Sequence, residues 1–262
     1  TNFARTNSRE HLARSLSAAR ALAALPETVA ACGLDILGEP GALALADPAF
    51  EAVTGVLVRE GPAGPALVVA GLLEPSPRDG RPVLAAIGAS LATAEDAAAW
   101  LRAYAGAAIL PPLRLFARTG ISLEAHAQNS LLVLDGGLPS RLVVRDLEGA
   151  SIDGARFRRR VPDLALDPAV LYGAEEAWRR LLYYLVVNQV AHVVATVARA
   201  ADLAEAPLWQ VVAHSLAACD EDAATTALIE RLLAAPTLPA KANLASCLAG
   251  RGERPDYVAL AN

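Results

Sequence analysis

The sequence predicts an α+β fold, a small antiparallel sheet and hairpin region followed by a mostly α-helical lobe. Three observations carry that expectation. Short β-prone runs alternate with Gly/Pro segments in the first half, two more such runs flank the turn-rich "DGGLPS" at residues 135–140, and from Gly173 onward apolar residues recur at helical spacing. The two halves meet at residues 119/120 and are expected to share one core.

Taken in order, Asn7 or Ser8 caps a helix over about residues 8–25, with Leu12, Leu16, Ala19 and Leu22 at helical spacing. "GVLVRE" (55–60) and "ALVVAGLLE" (66–74), separated by "GPAGP", read as strands, and "EPSPRDGRP" as a loop. Thr93 and Asp96 form a capping-box pattern opening a helix that ends at Gly120, and Pro111-Pro112 should kink or split it. "SLLVLD" and "SRLVVRD" form the hairpin. Beyond it the chain reads as helical to the end, first in "GAEEAWRRLLYYLVVNQVAHVVATVARAA" (173–201), then in helices broken at Pro207, Asp220 and Pro236, the last being "PAKANLASCLAG".

Composition narrows the function. A chain of 262 residues, 54% of them hydrophobic, can bury a substantial core. Its formal charge of -5 argues against a nucleic-acid surface, although a local cationic pocket for a small anion remains compatible with it. Cys32, Cys219 and Cys247 show neither disulfide nor zinc spacing, which suits a reducing cytoplasm. The most apolar stretch, Leu181 to Ala198, is interrupted by Asn188, Gln189 and His192, so it reads as a buried helix and not as a membrane span. No methionine occurs, and the chain is expected to begin inside a longer protein.

Polar groups crowd the open end of the hairpin. Glu124, His126, Gln128 and Asn129 precede its first strand, and Arg145, Asp146 and Glu148 follow its second. If Leu134 pairs with Arg141, Leu131 faces Val144 and Asn129 faces Asp146; a register shifted by one puts Asn129 opposite Arg145. The first register gathers hard oxygen donors suited to Mg²⁺. The layout resembles the catalytic segment of kinase-like phosphotransferases, and a plainer reading makes the carboxylates an exposed strand end and His126 a core histidine. Asn188 and His192, four apart, either line the pocket or satisfy one another in the core. The arginine run 156–160 reads as a solvated face or an anion attractor, His11 and His214 as surface or packing residues, and Trp100, Trp178 and Trp209 as core anchors.

"SLEAHAQN" followed by "LVVRDLEG" resembles the signature of the siderophore synthetases that work independently of nonribosomal peptide synthetases, the aerobactin-synthetase-like family. "TNFARTN" resembles that family's Thr-Asn-x-x-Arg segment, and "LPAKANLASCL" its lysine-bearing helix. The resemblance implies the carboxy-terminal portion of a synthetase, with the upstream Ser/Arg/Thr-rich phosphate loop lying outside this chain. Residues 1–119 would complete the nucleotide and substrate lobe, and residues 120–262 would hold the catalytic hairpin and helical lobe. It further implies ATP-dependent adenylation of citrate or a related acid, attack by an amine or amino alcohol, Mg²⁺ as cofactor and a homodimer. His126, Arg5 and Lys241 take the catalytic roles. Thr1, Asn2, Arg5, Gln128 and Asn129 contact nucleotide, and Glu124, Asp146, Asn129 and Glu148 hold the metal. Two alternatives remain, a kinase-like phosphotransferase and a ferric-siderophore reductase-like protein; the latter would call for clustered thiolates.

Overall fold

The computed structural model describes residues 7–45, 47, 49, 55–87, 91–250 and 256–262. Helix α1 (Arg9–Ala23) opens where expected: the Ser8 side chain accepts from the His11 backbone, and His11 Nδ1 accepts from Ser8 N at 3.4 Å, a capping box closed by histidine. Helix α2 (Pro26–Ala30) starts on a proline, which needs no amide partner there. Strand β1 (Leu34–Ile36) and the antiparallel pair β2 (Gly41–Leu43) and β3 (Val56–Val58) follow. "ALVVAGLLE" departs from the expected strand. It is extended only over β4 (Leu67–Val68) and then turns into helix α3 (Val69–Leu73), which buries Val69 and Leu72 on one side.

After α4 (Leu84–Ile87), helix α5 (Ala94–Tyr104) begins at the Thr93/Asp96 capping box. The expected break is present. A π-helical turn (Ala105–Ile109) separates α5 from α6 (Leu110–Thr119), whose first turn holds Pro111 and Pro112; two missing N–H donors cost nothing at a helix start but would interrupt a continuous helix. Gly120, at φ 79°, ends α6 in the left-handed conformation that glycine adopts readily.

Strands β5 (Ile121–Ser122), β6 (Ser130–Asp135), β7 (Leu138–Val144) and β8 (Ser151–Asp153) lead to α7 (Gly154–Arg158) and β9 (Leu171–Tyr172). The main sheet has the order β1-β7-β6-β4, with β1 parallel to β7, and a second sheet has the order β5-β8-β9. The first hairpin register is corrected. Val133 pairs with Arg141 and Leu134 with Pro139, because a bulge loops out Ser140, whose hydroxyl donates to Val133 O at 3.1 Å. Leu131 therefore faces Val143, and Asn129 O accepts from Arg145 N at 2.9 Å, so Asn129 lies opposite Arg145 and not Asp146.

The long helix comprises α8 (Ala174–Leu181), a π segment (Leu182–Val190) and α9 (Ala191–Ala201). It is long and apolar enough to cross a bilayer by length and composition, yet 72% of its most apolar window is buried within the chain, as a core helix requires. Helices α10 (Glu205–Ala217) and α11 (Ala223–Ala234) follow. The chain is not helical to its end. β10 (Thr237–Lys241) pairs antiparallel with β11 (Tyr257–Ala261), and only α12 (Asn243–Leu248) lies between them in helix. Lys241 thus sits on a strand, where Pro239 is tolerated at a sheet edge, and tertiary pairing overrides the helix propensity of its neighbours. One apolar core runs from Ala18 to Leu238 through both halves, with Trp100 stacked on Tyr104 at 5.4 Å.

Candidate active site

The turn between β5 and β6 presents His126. Asn129 N and Ser130 N both donate to His126 O at 3.0 Å, Ala127 N donates to Asn188 O at 3.1 Å, and Ala70 N donates to Ala127 O at 2.8 Å. The π segment on one side and α3 on the other therefore fix this turn. Asn129 N also reaches His126 Nδ1 at 3.3 Å, so Nδ1 is an acceptor and the proton of the neutral ring sits on Nε2. Burial lowers the His126 pKa, while the charges of Glu124 and Asp146 oppose that shift and Lys241 reinforces it. The charges of three expected site residues, Glu124, Asp146 and Lys241, thus bear on one half-buried imidazole.

Glu124 is packed against the backbone of Gly149: a Cβ there would stand 1.9 Å from the Glu124 carboxyl carbon. Only glycine fits. Arg180 Nη2 lies 3.7 Å from Glu124 Oε1, and the Arg180 guanidinium covers the Tyr172 ring at 4.9 Å. Lys241 donates to the Tyr184 hydroxyl and lies 4.4 Å from that ring's centroid. Burial, then the charge of Glu124, hold the Tyr184 pKa far above the ordinary phenol value. Tyr184 thus places Lys241 beside the site, its own ring 5.8 Å from that of His126.

Asp146 occupies a left-handed backbone conformation at φ 70°, uncommon for a residue with a side chain. Its Oδ1 meets Arg59 Nη2 at 3.3 Å, and Arg59 is gripped by Glu39 Oε1 at 2.9 Å from Nε and 2.6 Å from Nη2. Glu39 is 3% exposed, and its Oε2 is buried with no hydrogen-bond partner among the described residues. Glu148 pairs with Arg14 of α1 at 2.9 Å, and Asn129 is 6% exposed. Gln128 is exposed; its carbonyl accepts from Arg145 at 3.0 Å. Among the described residues no three His, Cys, Asp or Glu side chains form a metal cage. Glu124 and Asp146 each face an arginine, Arg180 at 3.7 Å and Arg59 at 3.3 Å, and as carboxylates they are hard oxygen donors of the kind Mg²⁺ takes.

Thr1, Asn2 and Arg5 lie outside the described residues. The arginine run does not join the site: Arg156 donates to Ala117 O at 2.7 Å and Arg160 to Arg118 O at 3.2 Å, closing the C-terminus of α6. Asn188 and His192 are not a self-satisfied core pair, since both line a cleft of about 490 Å³ with His126 and Gln128. Reading the sequence missed Tyr184, Arg180, Arg59, Glu39 and Gly149. Arg180 and Tyr184 share a helix face in "RRLLYY", a visible signal hidden by the apolar run around it; Glu39 and Arg59 carry none locally.

A family model described as "Ferric iron reductase FhuF-like transporter" matches residues 98–256. Over its full length the chain is 36% identical, across 284 aligned positions, to the L-2,3-diaminopropanoate–citrate ligase of Staphylococcus aureus (strain NCTC 8325 / PS 47), of which it covers 49%. The chain belongs to the siderophore synthetase family. A second synthetase, the aerobactin synthase of Vibrio mimicus, is 32% identical over 157 residues, which is 56% of this chain and 25% of that protein. The ATP-bound aerobactin synthetase IucA from a hypervirulent pathotype of Klebsiella pneumoniae superposes with a TM-score of 0.85 at 25% identity, covering 100% of this chain and 50% of that one. This synthetase-family chain therefore spans about half the length of the S. aureus and Klebsiella proteins. The reductase alternative is not favoured: these relatives are synthetases and ligases, and Cys32 is buried, Cys219 half-buried and Cys247 exposed at separate places.

Proposed function

We propose that this chain forms the catalytic part of an ATP-dependent siderophore synthetase that joins citrate, or a related acid, to an amine or amino alcohol. One observation carries the reading: the turn bearing His126 packs against Tyr184, which holds Lys241, in a chain that aligns over its full length with a citrate ligase. In the first half-reaction a citrate carboxylate attacks the α-phosphate of ATP and pyrophosphate leaves. In the second, the nucleophile attacks the acyl-adenylate and AMP leaves. Bringing a polycarboxylate to a triphosphate requires cations, and Lys241 and Arg5 supply them. The neutral His126 donates from Nε2 to the oxygen of citrate or the α-phosphate, so its first task is hydrogen-bond donation. Gln128, Asn129, Thr1 and Asn2 add neutral contacts to the nucleotide.

Glu124 and Asp146 are the carboxylates that would hold Mg²⁺, with Asn129 and Glu148 beside them; when bound, the ion would offset phosphate charge. Arg59, braced by Glu39, sets the direction of the Asp146 carboxylate. Residues 1–119 complete the nucleotide and substrate lobe, and residues 120–262 provide the hairpin and helical lobe. Dispersed, unpaired cysteines support a cytoplasmic setting, and the family resemblance supports a homodimer.

The test is citrate-dependent pyrophosphate exchange in the full-length protein. Asp146→Asn keeps the shape of the side chain and removes the charge that attracts a hard cation, so Mg²⁺-supported exchange should be abolished while the melting temperature holds. A folded variant that exchanges at the parent rate would refute the metal assignment. Product analysis should give AMP and pyrophosphate; ADP would instead mark a phosphotransferase.

A further inference from the structure

One face of the β2–β3 ribbon is apolar and open. Leu43 stands opposite Val56 and Gly41 opposite Val58, so Leu43, Val56 and Val58 project from the same side, and Leu45 follows two residues after Leu43. Leu43 is 70% exposed and the other three are about half exposed. Gly41, the remaining paired position of that face, has no side chain, so no charge interrupts the row. Ala42 and Leu57, which point the other way, are half-buried. Exposed strands are ordinarily guarded by charges or proline, and a contiguous apolar patch marks a surface that meets another. The ribbon has only two strands among the described residues, an arrangement marginally stable in water by itself.

Two contacts indicate what comes to this surface. Gly55 N, just ahead of β3, donates to Asn7 O at 2.9 Å, and a Cβ at Gly55 would stand 2.2 Å from that oxygen, so only glycine permits the approach. Arg9, at the start of α1, donates to Leu45 O at 3.4 Å. The chain therefore enters α1 beside the end of the ribbon that bears Leu43 and Val56, and a segment preceding it starts out next to the apolar face. The S. aureus and Klebsiella relatives are about twice as long as this chain. At the ribbon's other end Glu60 N donates to Gly38 O at 2.9 Å, which ties Glu39 and Arg59 to the same strand pair.

We infer that the apolar face of β2–β3 is the seat of the amino-terminal remainder of the same polypeptide. The inference rests on the reading of this chain as part of a longer synthetase. Docking covers Leu43, Val56 and Val58 and steadies the ribbon, and with it the Arg59 contact to Asp146. The upstream part is thereby joined to the site by a strand pair and not only by the covalent chain.

The experiment is amide hydrogen exchange, read by mass spectrometry, on the full-length protein and its Leu43→Asp/Val56→Asp variant. Both side chains are exposed, so their replacement should leave the core closed. In the parent the β2 and β3 amides should be protected, since a bare two-stranded ribbon exchanges freely. In the variant they should exchange at least about tenfold faster, as should the segments preceding Thr1, while the Leu182–Val190 amides keep the parent rate. Unprotected ribbon amides in the parent, unchanged rates in the variant, or faster exchange confined to the ribbon overturns the inference. A parent dimer that the variant converts to a monomer in light scattering, with the upstream amides unchanged, assigns the face to a second copy and also overturns it. Should the aspartates open the long helix, Leu43→Thr/Val58→Thr, which keeps strand-forming side chains, is judged by the same rates. None of these readings needs turnover, so failure of pyrophosphate exchange in the parent counts against the proposed function alone.

Discussion

At the scale of single residues, the protonation of His126 is set by where its neighbours lie. Burial holds its pKa below the ordinary 6.5, although Glu124 and Asp146 pull the other way. Between the lowered folded value and 6.5 the unfolded chain binds more protons than the folded one, so stability rises with pH across that window. The contribution is complete above the unfolded value and is lost as pH falls toward the folded one. His126→Gln should therefore flatten the dependence of melting temperature on pH just below 6.5, and an unchanged slope would show that the imidazole is not desolvated. Glu124, His126 and Asp146 were legible because one short window holds them. Glu39 and Arg59 were not, because a brace made of two loop residues, one ahead of β2 and the other just after β3, has no local pattern.

Among the elements, the π segment of the long helix does most to position the hairpin. Gln189 Nε2 donates to Tyr104 Oη at 2.8 Å and Gln189 Oε1 accepts from Ser130 Oγ at 2.5 Å, so one fully buried amide joins α5, the long helix and the first residue of β6. Gln189→Leu would strand two hydroxyls in the core and should cost about 2–4 kcal/mol in chemical denaturation, the combined penalty of unsatisfied buried groups. A loss under about 1 kcal/mol would mean that water replaces the amide. Helix starts were readable from Ser8, Thr93 and the proline pair, since caps are local. The hairpin register was not: a bulge at Ser140 depends on how the strands twist against their neighbours, and one extra residue moved Asn129 from Asp146 to Arg145. Nor was β10, whose strand state exists only because β11 pairs with it.

Across the whole molecule, α6 acts as a tie between the two halves. Arg114 forms a double contact with Glu221 ahead of α11, one arm at 2.9 Å, and Arg118 joins Asp222 at 2.9 Å and Ala31 O at 2.9 Å. The Glu221 side chain is only 4% exposed. Arg114→Ala should cost about 3–5 kcal/mol by leaving a buried charge unpaired, and adding Glu221→Leu should recover most of it. Failure of the double variant to recover would point to lost packing. The α+β class was legible because hydrophobic periodicity reports on many residues at once; the sharing of one core by both halves follows from contacts that no single window contains. The β10–β11 ribbon has a consequence of its own. Two strands alone are marginally stable in water, and here they carry Lys241 to Tyr184. The net charge around Glu124 is thus tied to the ribbon, because any opening of it would withdraw one positive charge. An anion that engages Lys241 favours the closed ribbon by mass action, so occupancy of the site and order in the last strand rise and fall together.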